Sequence, residues 1–426
     1  MPEYNVLNSN FERMVLRMTK IAVLGYGTVG SGVVEVLTKN QKIINNKAKE
    51  EIDIKYVLDL RDFPGDPIQD KIVHDFDVIL KDPEVRVVVE VMGGLHPAYE
   101  FTKAALEEGK SVCTSNKELV AEFGPELISI AHANNVNYLF EASCGGGIPI
   151  IRPLNSSITA DDVDEITGIL NGTTNYILTE MTEKGLSYEE VLKDAQAKGY
   201  AERNPEADVE GYDAVRKLAI LSSLAYGRTA DYKKIYTEGI TKISKEDIDY
   251  AKAMGREIKL LATSRKTVTD GEKHCYALVA PFLIDASTPL YSVNGVYNAI
   301  LVHGNMLGYA MFYGAGAGSL PTASAVVSDV VDEVRHIGRT LIFNWNPKQI
   351  DLPSVENDEK KFFVRVSADK LEKAKSLMNA EEVVSLEGHA DEAGLVTEKM
   401  SEKEFNDRAE KLGGVISRIR IKEMVL

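Results

Sequence analysis

The chain reads as an α/β protein in three parts. A parallel sheet wound with helices comes first, then an α+β region on a mixed sheet, then a small α/β unit at the C-terminus. Three observations predict this: strand-like apolar runs alternate with helical patterns as far as Ile151, the alternation stops from Arg152, and two short apolar runs bracket helical patterns near the end of the chain. A length of 426 residues accommodates several domains. The formal charge of −16 argues against nucleic acid and anionic membrane surfaces, since both demand a basic footprint. Cys113, Cys144 and Cys275 lie far apart with no CxxC spacing, which speaks against a zinc site or a disulfide framework. With no secretory pattern at the start and no apolar run approaching ~18 residues, a soluble cytoplasmic protein is expected. Residues 1–17 are polar and patternless and read as an N-terminal extension.

The first element is the run KIAVL at 20–24, apolar and rich in β-formers. It is followed by Gly25, Tyr26, Gly27, Thr28, Val29 and Gly30, and then by Val33, Val34 and Leu37 at helical spacing. Strand, glycine turn and helix in that order form a dinucleotide-binding fingerprint. The glycines serve the tight turn, the approach to a pyrophosphate and close helix–strand packing, and the helix N-terminus faces the phosphates. This predicts a Rossmann-type parallel sheet. A second strand at 52–58 ends on Asp59, placed to bind adenosine ribose hydroxyls and so favour NAD, whereas Arg61 is placed to receive the 2′-phosphate of NADP. Both readings stay open. Residues 85–91 (VRVVVEV) suit a strand buried on both faces, and 111–114 another. Ligands in such sheets sit beyond the carboxyl ends of the strands, so Gly93, Gly94, Ser115 and Lys117 are expected at the cofactor crevice. After a strand at 137–140 the chain reads Glu141-Ala-Ser-Cys-Gly-Gly-Gly-Ile-Pro. That is either a plain glycine turn or a carboxylate with exposed carbonyls that hold a hard cation.

The middle region predicts a strand at 164–170, a turn over 171–174, and helices at 175–183 and 188–197. Then comes GYAERNPEADVEGYDAVRK at 199–217. Glu202, Glu206, Asp208 and Glu210 make this loop anionic and suited to a substrate that carries an amine. Asp213 and Lys217 stand one helical turn apart, and the helix is apolar nearly all round from Leu218 onward. A lysine and an aspartate at the mouth of a buried helix point to proton exchange with a substrate hydroxyl rather than to a solvated surface pair. Strands at 276–283 and 295–303 follow, with His303 structural. From Tyr313 a second glycine-rich loop leads into a helix at 322–337, where Gly318 either approaches the cofactor or serves as a hinge.

These segments resemble one family. IAVLGYGTVGSGV, SNKEL at 115–119, EASCGGGIPII at 141–151, GILNGTTNYIL at 168–178, the 199–218 segment and GAGAGSLPTASAVVSDV at 314–330 are similar to homoserine dehydrogenases, over roughly residues 18 to 345. Such enzymes interconvert homoserine and aspartate 4-semialdehyde with NAD(P)H. The resemblance implies that Lys217 is the acid/base, with Lys117 near the reacting hydroxyl and the nicotinamide. It implies that Glu202 and Asp213 hold the amino acid with Asp208 nearby, that Thr173, Gly199 and Tyr200 line the site, and that Glu141 with the carbonyls of Cys144, Gly146 and Ile148 binds a monovalent cation such as Na⁺. Family members are usually homodimers, and tetramers are possible. Some carry a C-terminal ACT domain that senses threonine. Here 361–366 and 415–421 read as strands of an ACT-like unit, but ADKLEK stands in place of that domain's aspartate-x-x-glycine turn. The expected division is 1–17 extension, 18–151 dinucleotide-binding domain, 152–320 catalytic and dimerisation domain, 321–350 returning helix and linker, and 351–426 ACT-like domain, in the monofunctional form. Two other readings compete: a Rossmann dehydrogenase acting on another amino acid, such as aspartate, and a non-enzymatic NAD(P) or ligand sensor. The first would not need the full 199–217 segment, and the set of Lys117, Glu202, Asp213 and Lys217 argues against the second.

Overall fold

A computed structural model describes residues 17–269 and 272–424. Residues 1–16, most of the expected extension, lie outside the described residues. Two compact units emerge. One comprises residues up to Leu119, 126–142 and 322–342; the other comprises 120–125, 143–321 and 343–426.

The first unit is built on six parallel strands: β1 (Met18–Leu24), β2 (Glu51–Leu58), β3 (Ile72–Val73), β4 (Val85–Glu90), β5 (Ser111–Thr114) and β6 (Tyr138–Leu139). Their order is β3-β2-β1-β4-β5-β6, that of a doubly wound dinucleotide-binding sheet. Residues 21–24 and 87–89 are wholly buried, as their apolar sequences require of strands covered on both faces. Chain reversal at β1/β4 opens the crevice at the carboxyl ends, directly above the glycine turn.

The second unit holds β7 (Val163–Ile169), β8 (Arg228–Thr229), β9 (Tyr236–Thr237), β10 (Glu257–Thr269), β11 (Glu272–Ile284), β12 (Tyr297–Gly304), β13 (Gly308–Ala315) and β14 (Asn346–Gln349). It continues with β15 (Glu359–Ser367), β16 (Glu382–Val384), β17 (Glu392–Val396), β18 (Met400–Ser401) and β19 (Ser417–Ile421). One mixed sheet runs β13-β12-β7-β10-β11-β19-β15-β17-β16, with β9 added to β11 and β18 to β15. Apolar residues of β7, β10, β11 and β12, among them Ile169, Leu261, Phe282 and Leu301, share one core. The helices Gly172–Lys184 and Tyr212–Tyr226 pack on the strands of this sheet.

The last part of the unit runs strand, helix, two strands, helix, strand, and its four main strands lie in the order β19-β15-β17-β16. This is the split-βαβ, ferredoxin-like arrangement. Its own core gathers Phe362, Val364, Ala374, Leu395 and Phe405. Pairing of β19 with β11 (Phe282 with Arg420, Leu283 with Ile421) makes it continuous with the larger sheet.

Two sequence expectations change, and one strand goes beyond them. The helix expected from residue 175 begins at Gly172, because the Asn171 side chain accepts the Thr174 N–H at 2.9 Å and caps it. The expected glycine-rich loop from Tyr313 starts later, since residues 313–315 finish β13 against β12. Strand β10 has no strong signal of its own; register with β11 over its whole length creates it. Among the described residues no helix is long and apolar enough to cross a membrane.

Candidate active site

In the first unit the glycine turn behaves as its sequence predicts. Gly27 caps the helix Thr28–Lys39, whose first turn carries Thr28, Val29 and Gly30. A Cβ on Gly30 would stand 1.9 Å from the Gly25 carbonyl oxygen, so only glycine lets the helix approach the strand end this closely. Asp59 follows β2 and accepts the Tyr26 N–H at 2.8 Å. Arg61 donates to the same carboxylate through Nε at 2.9 Å and through its terminal nitrogen at 3.0 Å. That guanidinium holds the Asp59 carboxyl well below the usual carboxylate range. Gly25, Gly27, Asp59, Arg61 and Gly93 line a cavity of about 540 Å³, walled by Phe76 and Phe101, whose rings stack at 4.2 Å. A cradle floored by glycine backbone and walled by apolar rings, with one carboxylate and one guanidinium at its rim, fits the adenosine end of a dinucleotide.

A buried network secures the neighbouring loops. Glu90, at the end of β4, accepts the Met92 N–H at 2.8 Å and the Thr114 hydroxyl at 2.6 Å. Asn116 donates from its amide to the Gly94 carbonyl at 2.6 Å and caps the helix Lys117–Ala133 by accepting the Leu119 N–H at 3.1 Å. The Gly93–Gly94 turn is thereby tied to the junction where Ser115 precedes that helix and Lys117 begins it. Burial raises the Glu90 carboxyl above its usual range. Sequence reading passed over both Glu90 and Asn116, although an Asn preceding a helix is a capping signal.

The second unit brings together the lysine and the acidic loop. Lys217 and Asp213 are 8% and 6% exposed in the helix Tyr212–Tyr226, which settles the choice between a buried and a solvated pair. Lys217 Nζ donates to Asp213 Oδ2 at 2.7 Å and to the Leu170 carbonyl at 2.8 Å. Asn171 donates through Nδ2 to Asp213 Oδ2 at 3.0 Å and to Asp208 Oδ1 at 2.7 Å. Thr173 Oγ1 lies 3.2 Å from Asp208 Oδ2 and 2.7 Å from the Tyr200 carbonyl. Burial raises the Asp208 carboxyl, Asn171 opposes that rise, and the Asp213 charge adds to it. Two carboxylates thus share one amide beside one ammonium, an anionic pocket that favours a cationic ligand group. Asn171 is the member that sequence reading placed only in a turn.

Other expected site residues stand as follows. Gly199 ends the helix Tyr188–Ala197 region, and the Tyr200 ring meets that of Tyr176 at 5.0 Å. Glu202 is exposed; its carbonyl accepts from Gln196 at 3.1 Å, while its carboxylate is outside the Asp208–Asp213–Lys217 network. Glu141 is buried in the first unit, where its N–H donates to Asp329 Oδ2 at 2.8 Å. Cys144, Gly146 and Ile148 are buried in the second unit on a turn closed by the Ile148 N–H to the Gly145 carbonyl at 2.9 Å. The Cys144 thiol lies 3.7 Å from the Lys217 carbonyl. Gly318 precedes the helix Ser319–Arg335.

A doubly wound sheet with a glycine cradle, together with a buried lysine–carboxylate pocket on a mixed sheet, defines a Rossmann-type dehydrogenase. Comparison with known proteins narrows the class. The family profile "Homoserine dehydrogenase, NAD binding domain" matches residues 25–141, and "Homoserine dehydrogenase" matches 149–331. The chain is 45% identical to the homoserine dehydrogenase of Synechocystis sp. over 321 residues, covering 74% of this chain and 73% of that protein. The crystal structure of a homoserine dehydrogenase from Thiobacillus denitrificans superposes with a TM-score of 0.88 at 34% identity, over 96% of this chain and 99% of that one. A hyperthermophilic archaeal homoserine dehydrogenase mutant in complex with NADPH aligns with 74% of this chain and 97% of its own at 27% identity and a TM-score of 0.62. The chain belongs to the homoserine dehydrogenase family.

Proposed function

We propose that the protein interconverts L-homoserine and L-aspartate 4-semialdehyde with NAD(P), in the threonine, methionine and isoleucine branch of amino-acid biosynthesis. The observation that carries this reading is Lys217, buried between Asp213 and the Leu170 carbonyl with Asp208 in the same hydrogen-bond network. Two of the three N–H groups of a protonated Lys217 are engaged, which leaves a third for a substrate oxygen. Asp213 and Asp208 hold the substrate ammonium, assisted by Glu202, while Thr173, Gly199 and Tyr200 line the pocket. Lys217, with Lys117, gives a proton to the forming hydroxyl in reduction and removes it in oxidation. Gly25, Tyr26, Gly27, Thr28, Val29, Gly30, Asp59, Arg61, Gly93, Gly94, Ser115, Lys117 and Gly318 hold the dinucleotide, which when bound supplies or accepts a hydride at the nicotinamide.

The finer assignments extend the same reading. The family resemblance assigns Glu141 and the carbonyls of Cys144, Gly146 and Ile148 to a monovalent cation, and oxygen donors of this kind suit a hard cation such as Na⁺. The ferredoxin-like order of β15–β19 supports an ACT-like unit at 351–426, following a dinucleotide-binding domain at 18–151, a catalytic domain at 152–320 and a returning helix and linker at 321–350. Exposed Met311 and Tyr313 on the sheet-edge strand β13 support a homodimer. A spectrophotometric assay with homoserine and with aspartate, each with NAD and with NADP, tests the proposal. Homoserine is expected to be oxidised and aspartate not; turnover of aspartate, or of neither, overturns it. Repeating the assay with and without Na⁺ and threonine tests the cation and regulatory assignments.

A further inference from the structure

The acidic loop does not stand alone. Between Asp208 and Asp213 the backbone of Val209, Glu210 and Gly211 is braced from behind by residues 238–241. The Ile240 N–H donates to the Val209 carbonyl at 2.9 Å, and Thr241 Oγ1 donates to Glu210 Oε1 at 2.9 Å. Gly239 lies against the same backbone so closely that a Cβ there would be 2.2 Å from the Val209 oxygen and 2.6 Å from Glu210 Cα. This brace extends β9, and the Glu238 N–H donates to the Val279 carbonyl of β11 at 2.8 Å.

The Glu238 side chain is held by the far end of the chain. Arg420, on β19 and 1% exposed, donates to Glu238 Oε2 at 2.7 Å and grips Glu402 through two nitrogens at 2.5 and 2.9 Å. Arg418 adds a longer contact to Glu238 at 3.3 Å, and the Tyr236 hydroxyl donates to it at 3.0 Å. A carboxylate in such charge-assisted bonds has little freedom, and neither does the backbone that carries it.

We infer that Glu238 is a positioning residue for the substrate-binding carboxylates: locked by Arg420 of the ferredoxin-like unit, it fixes the 238–241 brace and through it the placement of Asp208 and Asp213. This inference rests on the reading of Asp208 and Asp213 as the homoserine ammonium site. Its consequence is that the C-terminal unit sets homoserine affinity through one hydrogen-bonded route, whatever that unit itself binds.

The test uses the full-length protein and three readouts: homoserine KM and kcat, NADPH affinity, and hydrogen exchange over residues 205–213. In Glu238→Gln, homoserine KM is expected to rise roughly tenfold, with kcat and NADPH affinity nearly unchanged and exchange faster over the loop. Gly239→Ala, which leaves the charged groups intact but pushes the Val209 carbonyl, is expected to do the same and serves if Glu238→Gln fails to fold. Arg408→Gln breaks other ion pairs of the ferredoxin-like unit, to Glu398 and Glu404, and is expected to leave KM in place. Unchanged KM and exchange in the folded variants, or an equal rise in Arg408→Gln, overturns the inference. Asp213→Asn separates the two levels: if it leaves homoserine KM unchanged, the ammonium-site reading fails, while loop exchange still decides whether the brace acts.

Discussion

The dinucleotide cradle and the lysine pocket are built by different means. The cradle is backbone: glycines at Gly25, Gly27 and Gly30, a helix N-terminus and one strand-end carboxylate, all within forty residues of chain. The pocket is mostly side chains: Lys217 and Asp213 from one helix, Asn171 and Thr173 from the start of another, Asp208 from the short helix Glu206–Val209, and the Leu170 carbonyl from just past β7. At Gly30 the backbone site tolerates no added volume, whereas the side-chain site tolerates little change in charge.

The largest effect is expected at Lys217. Removing its ammonium in Lys217→Ala should lower turnover by roughly 10²–10⁴ with NAD(P)H affinity nearly intact; stopped-flow turnover and cofactor fluorescence measure the two separately. Wild-type turnover in that variant would falsify the acid/base assignment. Next is Gly30→Val, whose side chain must displace the Gly25 carbonyl. It should destabilise the protein by about 1–3 kcal/mol in thermal or urea unfolding and weaken cofactor binding. Retained affinity at unchanged stability would mean the helix can move away from the turn.

Arg61→Ala is a finer probe. Arg61 is 62% exposed and its Asp59 partner 9%, so the guanidinium, though paired with Asp59, is the solvent-facing group placed to meet a 2′-phosphate. NADPH affinity is expected to drop about tenfold, near the strength of a charge-assisted hydrogen bond, with NADH affinity unchanged. Equal loss for both cofactors would assign Arg61 only to holding Asp59.

The smallest effect concerns pH. Glu333 is wholly buried in the first unit; burial pushes its carboxyl well above the usual range, and neighbouring Asp329 adds to the rise while Ser111 and Asn137 oppose it. The folded state therefore holds a proton that the unfolded chain releases near its ordinary value. The stability this confers is complete below that value and is lost as pH rises through the raised folded one. Glu333→Gln should flatten the decline of stability with rising pH, read from urea midpoints at several pH values. An unchanged profile would show that Glu333 is not the group responsible.

How far the sequence could be read follows the same contrast. The cradle was legible because strand, glycine turn and helix are adjacent in the chain and each glycine answers a local steric demand. The burial of Lys217 was also legible, because helical phase is a local property of residues 213–224. Asn171 was not: in sequence it is one polar residue in an Asn-Gly-Thr-Thr turn, and only folding places it between Asp208 and Asp213, about forty residues away. Strand β10 was hidden for a related reason, since β-structure depends on its partner more than on its own composition.

By itself, the amino-acid sequence determined the parallel-sheet unit, the dinucleotide turn, the buried Asp–Lys pair and the family. All of these rest on contacts between near neighbours or on periodicity along one element. Tertiary structure alone decided which groups partner that pair, that β19 joins the C-terminal unit to the larger sheet, and that Arg420 reaches Glu238 across 182 positions. Those outcomes depend on hydrogen bonds between distant segments, whose geometry exists only once the sheet has assembled.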